Sequence, residues 1–214
     1  MASKNGQDAV LIAALSSGTK LELNCVQADQ NVDIVDKTKA VSVYKLVRLE
    51  EYQRSWGFQL HLSSRMFDAS SGRGSEVLRV QRDQANGTIE LVGQGECSGT
   101  SLRWEGMGDE GGLAVASRRF LFRYNEQEYV WMKHRRFSGD NLSCQNLSTG
   151  NVVAYYTNKM LPKKLQGVLV IEPQVQDMNL LHTLVAGCLS YREWLERRDM
   201  LVWGDSWFSQ SVSC

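Results

Sequence analysis

The residues in this chain best suited to chemistry are cations. Lys133, His134, Arg135 and Arg136 run together, and Arg118, Arg119, Arg123, Lys159, Lys163 and Lys164 lie nearby in sequence. Arg119 and Arg123 belong to an alternating run, RFLFRY (119–124), and Lys133 and Arg135 to a second one, EYVWMKHR (128–135), with Asn125-Glu126-Gln127 between them. If the two runs pair as a hairpin, alternation puts Arg119, Arg123, Lys133 and Arg135 on one outer face. Such a face suits the anionic head group of an inositol phospholipid through charge-assisted hydrogen bonds, with Arg136, Lys163 and Lys164 as further cations. The competing reading is a solvated strand face, partly neutralised by Glu126 and Glu128.

Other reactive residues are scattered. His61, His134 and His182 are far apart, and His182 sits within an apolar segment, where a hydrogen-bonded core histidine is the plain expectation. Glu105, Asp109 and Glu110 do not have the spacing of a calcium loop. The five cysteines (Cys25, Cys97, Cys144, Cys188, Cys214) form no CxxC pair and no Cys/His ligand spacing, so reduced thiols and no zinc site are expected. Asn86, Asn141 and Asn146 stand in glycosylation sequons, which carry little weight without a secretory signal. No nucleophile elbow, P-loop, HExxH or paired-carboxylate motif occurs. The residues therefore predict no catalytic group, no metal and no cofactor, and favour a binding protein over an enzyme.

The 24 basic and 24 acidic side chains cancel. Bulk attraction to nucleic acid is excluded, and binding to a membrane surface would have to come from a local patch. The segment AVLIAAL (9–15) follows Asp8 rather than a basic stretch, and it reads as the apolar face of a helix or strand instead of a signal. The expected location is cytoplasmic, with peripheral attachment to membrane.

What must position the cations is a series of strands. Residues 7–17 read as a short helix stopped at Gly18, and 20–27 as a strand. Alternating runs follow at 41–45, 56–62, 76–81, 119–124, 128–135, 141–145, 151–156 and 166–172, with Asn86-Gly87 a hairpin signal. The Gly-rich stretch 93–117 reads as a loop. After Pro173, Gln176-Asp177 cap MNLLHTLVAGCLSYREWL, apolar nearly all round from Met178 to Leu189. A helix apolar on every face must be buried, and this one is too short to span a bilayer. Tyr191 onward, with Arg192, Glu193, Glu196, Arg197 and Arg198, suits an exit into solvent. Strands at this spacing argue for a sandwich or barrel. The expectation is a mainly β fold, a closed antiparallel β-barrel enclosing a hydrophobic C-terminal helix at about 178–197. It has an N-terminal segment (1–38) within the same domain, a barrel at 39–198 and a Trp-rich tail at 199–214. In that tail Trp203, Trp207 and Phe208 could bind a partner.

The succession FLFRYNEQEYVWMKHRR, LSCQNLSTGNVVAYYTNK, GVLVIEP and MNLLHTLVAGCLSYREWLERR resembles the tubby C-terminal-like domains. These include the tubby proteins, the LURP-one-related proteins of plants, the phospholipid scramblases and uncharacterised fungal proteins. The shared pattern falls here on Phe120, Phe122, Tyr129, Trp131, Lys133 and Gly167, within residues 40–198. The resemblance implies a closed barrel around a central helix and phosphoinositide binding through Lys and Arg. The Gly-rich stretch and the tail depart from it. The function expected is a non-enzymatic tubby-like domain binding anionic phospholipid or a protein partner through the basic face. One alternative is a barrel that binds an apolar small molecule or acts on it as an enzyme. Another is a protein-interaction scaffold working through the tail.

Overall fold

A computed structural model describes residues 6–28, 31–48, 57–62, 76–83, 88–93, 101–105, 119–133, 141–158 and 165–208. A short helix, α1 (Gly6–Ser16), leads into twelve strands. These are β1 (Leu21–Ala28), β2 (Asn31–Asp36), β3 (Val41–Arg48), β4 (Gly57–Leu62), β5 (Glu76–Asp83), β6 (Thr88–Gly93), β7 (Ser101–Glu105), β8 (Arg119–Tyr124), β9 (Gln127–Lys133), β10 (Leu142–Asn146), β11 (Val152–Asn158) and β12 (Leu165–Ile171). A long helix, α2 (Met178–Phe208), follows. The chain is mainly β, with antiparallel strands in one sheet and a helix at the C-terminal side. Each strand pairs with its neighbours in chain order, and β12 pairs with both β11 and β1, so the ladder returns to its first strand. β1 and β2, which precede residue 39, belong to the same sheet.

Local chemistry explains the turns. Gly18 (φ 65°) stops α1 in the left-handed region that only glycine adopts without strain. Asn125 (φ 46°) and Glu126 (φ 62°) form the two-residue connection of β8 to β9, a turn whose twist matches paired strands. The β10–β11 turn is closed by Asn146, whose Oδ1 accepts the backbone N–H groups of Ser148 (2.9 Å) and Thr149 (3.2 Å). Asp177 caps α2, its Oδ1 accepting the N–H groups of Asn179 (2.7 Å) and Leu180 (3.1 Å).

From Leu180 to Glu193 every residue of α2 is buried, apart from any contribution of Gly187's missing side chain. The helix touches β5, β8, β9 and β12, and its side chains also reach β3 through Tyr44 and Arg48. Those strands are spread along the whole strand order, so the helix is met from several sides. Thr183 and Ser190 satisfy their hydroxyls on the helix itself, donating to the carbonyls of Asn179 (2.9 Å) and Ala186 (2.7 Å). Of the six motif residues all but Lys133, which is half-buried, are buried. Phe120 pairs with Trp131 and Phe122 with Tyr129 across β8 and β9, and all four are buried. Phe122 and Tyr129 stack at 5.0 Å, and Phe120 meets Tyr191 of α2 edge-on at 6.3 Å.

Three expectations need correction. The stretch 93–117 is not loop throughout, because Ser101–Glu105 forms β7, paired to β6 and β8. The short alternation SLRWE was hidden by flanking glycines. The helix does not end near 197, and the tail does not begin as a separate segment at 199. No proline interrupts 174–208, Gly204 alone costs a helix only about 1 kcal/mol, and α2 continues to Phe208. Arg192 and Glu193 do not mark an exit into solvent, since both are buried, and Glu193 accepts from Arg48 Nη2 (2.6 Å) and Nε (3.2 Å).

At Gly187 the helix packs against Trp131 of β9. A Cβ there would lie 2.8 Å from Nε1 and 3.1 Å from Cδ1 of the fully buried, rigid Trp131 ring. In an exposed helix Gly→Ala stabilises by about 1 kcal/mol. Here Gly187→Ala is expected to destabilise by about 1–3 kcal/mol through overpacking, read as a lower urea midpoint at unchanged m-value. A midpoint equal to or above that of the parent would show that the indole can give way.

Candidate functional site

The β8–β9 register separates the cations that alternation had grouped. Arg119 lies opposite Met132, Leu121 opposite Val130 and Arg123 opposite Glu128. Arg119 and Arg123 are exposed, while the intervening Phe120, Phe122 and Tyr124 are buried. Lys133 shares its parity with Tyr129 and Trp131 and pairs with the buried Leu142. It therefore belongs to the inward side at the strand end, not to the outer face with Arg119 and Arg123. The physical reason is a one-residue matter, because opposite residues in an antiparallel pair share a face and the tight turn puts even positions of β9 outside. The outer face is also charge-mixed. Arg123 faces Glu128, and Arg119 has Glu105 of β7 as its ladder neighbour. Arg135, Arg136, Lys163 and Lys164 lie outside the described residues. The backbone of Trp203, Trp207 and Phe208 is described as part of α2.

Strand direction brings together the strand ends that the basic runs follow in sequence. Neighbouring strands are antiparallel throughout, so the C-terminal ends of all odd-numbered strands share one end of the sheet. Lys133 ends β9 and Asn158 ends β11. The run His134-Arg135-Arg136 follows the first, and Lys159, Lys163 and Lys164 follow the second. Only β10 separates β9 from β11, so these attachment points are about 10 Å apart. Asn141 and Asn158 tie the two connections, the Asn158 N–H donating to Asn141 Oδ1 at 3.1 Å. Arg48 ends β3 at this same end, so its bond to Glu193 shows that α2 arrives there too.

Other chemistry is confined. His182 is buried in α2, edge-on to Tyr44 at 5.7 Å, and neither ring nitrogen has a hydrogen-bond partner among the described residues. The expectation of a hydrogen-bonded core histidine is thus half right: it is core, but its nitrogens are unserved. Burial pushes its pKa down to about 4, partly opposed by the Asp177 carboxylate. Cys25, Cys144 and Cys188 are free and buried; burial raises all three thiols, Cys25 to about 11, so they stay protonated and unreactive. Asn146 is buried, with Nδ2 donating to Gln127 Oε1 (2.7 Å), so its sequon is committed to the fold. Among the described residues no group of three or more His, Cys, Asp or Glu side chains could hold a metal.

Two features were not legible in the sequence. One is the Arg48–Glu193 pair, whose members lie 145 residues apart. The other is a shallow cavity of about 420 Å³ across β10 and β11, lined by Ser143, Val152, Tyr155 and Thr157 among others. Lys20 stands 5.7 Å over the Tyr155 ring while bonded to Glu172 at 2.9 Å. The ion pair depends on elements distant in the chain, and the cavity on how the side chains of two neighbouring strands stand apart, so no local pattern announces either.

Comparison with known proteins adds nothing to this geometry: no family model, curated protein or solved structure matches the chain.

His182 sets a pH dependence. The unfolded chain takes up a proton below about 6.5, whereas the folded histidine resists protonation down to about 4. Between those values the unfolded state binds more protons, so stability falls as pH drops from 6.5 toward 4, by about 3 kcal/mol in all. In urea titrations at pH 7 and pH 4.5, His182→Leu should lose most of this difference. A variant as acid-sensitive as the parent would assign the effect to other groups.

Proposed function

We propose that this chain is a non-enzymatic, tubby-like binding module: a closed barrel with α2 as its axis, which docks anionic phospholipid at the end where β9 and β11 finish. The ring of pairings that returns from β12 to β1, and the burial of α2 from strands all along the order, support the barrel reading. An interior occupied by Leu181, Leu184, Val185, Cys188 and Leu189 has little room for a lipocalin-type ligand.

The observation that carries the docking reading is strand direction. It puts the ends of β9 and β11, which the basic runs follow in sequence, at the end of the sheet where Arg48 holds Glu193 of α2, and this supports the reading. The outer face of β8 and β9 is the weaker seat, because Arg119 and Arg123 each have an acidic ladder neighbour and Lys133 lies on the other side. Clustered cations near a membrane contribute about 1 kcal/mol each toward an anionic surface, an attraction that salt screens. A second reading, binding of an apolar small molecule, has the β10–β11 cavity as its seat.

The test compares two charge reversals by flotation with neutral and phosphoinositide-containing vesicles. Arg135→Glu with Lys163→Glu and Lys164→Glu should abolish selective, salt-sensitive flotation. Arg119→Glu with Arg123→Glu should leave most of it. The reverse ranking would return the site to the strand face, and no flotation of the parent protein would reject lipid docking.

A further inference from the structure

Ser143 is buried although it faces away from α2. On β10 it stands between Leu142 and Cys144, and Cys144 pairs with Trp131, whose ring packs on Gly187. Ser143 therefore lies on the outer side of the sheet. There it belongs to a row of ladder partners that crosses six strands: Arg119, Met132, Ser143, Tyr155, Val170 and Glu22. Ladder partners stand side by side, so the smallest side chain of the row is flanked by a methionine and a tyrosine. The height it lacks leaves the cavity of about 420 Å³ across β10 and β11, with Ser143 and Tyr155 in its lining. Val152 also lines it and is 42% exposed, so the cavity opens to solvent.

We propose that this cavity binds a small neutral aromatic molecule carrying one hydroxyl, its ring laid along Tyr155 and its hydroxyl at Ser143. The inference rests on the second reading above, which seats an apolar small molecule here, and it is independent of lipid docking. Three observations select the occupant. No charged side chain lines the cavity, so an ionic ligand would lose hydration there without gaining a counter-charge. Tyr155 is a fixed platform: Lys20 stands 5.7 Å over its ring and is itself held by Glu172 at 2.9 Å. Strand order puts Lys20, next to β1, and Ser143, on β10, on opposite sides of Tyr155, so the cation approaches from the side away from the cavity. A cation already drawing on the ring disfavours a second one and leaves stacking with a neutral ring. The third observation is the Ser143 hydroxyl, which has no hydrogen-bond partner among the described residues. A ligand hydroxyl can exchange a hydrogen bond with it, and a polar group at the floor of an apolar site fixes orientation.

The experiment titrates the full chain with naphthol and with decalol, its fully saturated counterpart, and follows binding by ligand-observed NMR. The parent should bind naphthol about fivefold more tightly than decalol. Tyr155→Val should remove that preference. Ser143→Leu, which fills the dip, should abolish binding of both. Ser143→Ala keeps the dip and should weaken naphthol by about fivefold through the lost hydrogen bond, which guards against a folding defect in the leucine variant. Naphthol binding that survives Ser143→Leu unchanged would put the site elsewhere and overturn the inference. If naphthol and decalol bind the parent equally and Ser143→Leu blocks both, the apolar-ligand reading of the cavity stands and only the aromatic assignment falls. If neither compound binds the parent, both fall together.

Discussion

Everything in this fold follows from one constraint: a helix with apolar side chains all round must be covered all round. Leu180, Leu181, Thr183, Ala186 and Leu189 are all buried and between them lie on every side of α2, and each fully buried side chain of the larger type is worth about 2 kcal/mol only if its own side is covered. A flat sheet packs against one stripe of a helix. The antiparallel sheet here meets the helix from β3, β5, β8, β9 and β12, strands spread along its order, and β1 pairs with β12. The apolar helix and the ring of pairings are therefore two statements of one requirement. Antiparallel strands that each pair with the next in chain order meet it without crossovers.

Covering a helix so closely demands fit. Gly187 lets the Trp131 indole lie against the helix backbone, and Gly167 does the same for Tyr156, whose hydroxyl donates to the Gln166 carbonyl at 2.9 Å. Contact at that distance leaves the Trp131 N–H without a hydrogen-bond partner among the described residues, a loss of about 1–3 kcal/mol that the surrounding packing offsets. His182 is a second such concession, held neutral at ordinary pH by its burial. The interior is thus not an indifferent oil phase but a set of rings placed against glycines and against one another, Tyr44 on His182 and Phe120 on Tyr191 among them.

The same architecture gives the molecule two unlike ends. At one, β12 hands the chain to α2 through Asp177, and the hairpin turns of β8–β9 and β10–β11 close tightly. At the other, β3, β9 and β11 finish, and the Arg48–Glu193 pair holds α2 there. A buried pair of this kind is weak as a source of stability but strict about geometry. It ties the side of α2 that carries His182 and Glu193 to β3.

The sequence by itself determined the elements whose signals are local. The alternation at 119–124, the Asn-Glu turn, the Asp177 cap and the apolar run from Met178 are readable because each depends on neighbours a few residues away, and the structure has all of them. β7 escaped because SLRWE is short and set among glycines, and β2 because NVDIVD follows closely on another strand without a distinct break. Which cations share a face was decided only by tertiary structure. Alternation names two classes of residue on each strand, but register decides which class on β9 meets which on β8, and one step of register moves Lys133 from outside to inside. The burial of Glu193 against Arg48 likewise has no local sign. Charge usually marks an exit into solvent, and only the packing of a distant strand end could keep Glu193 in the core.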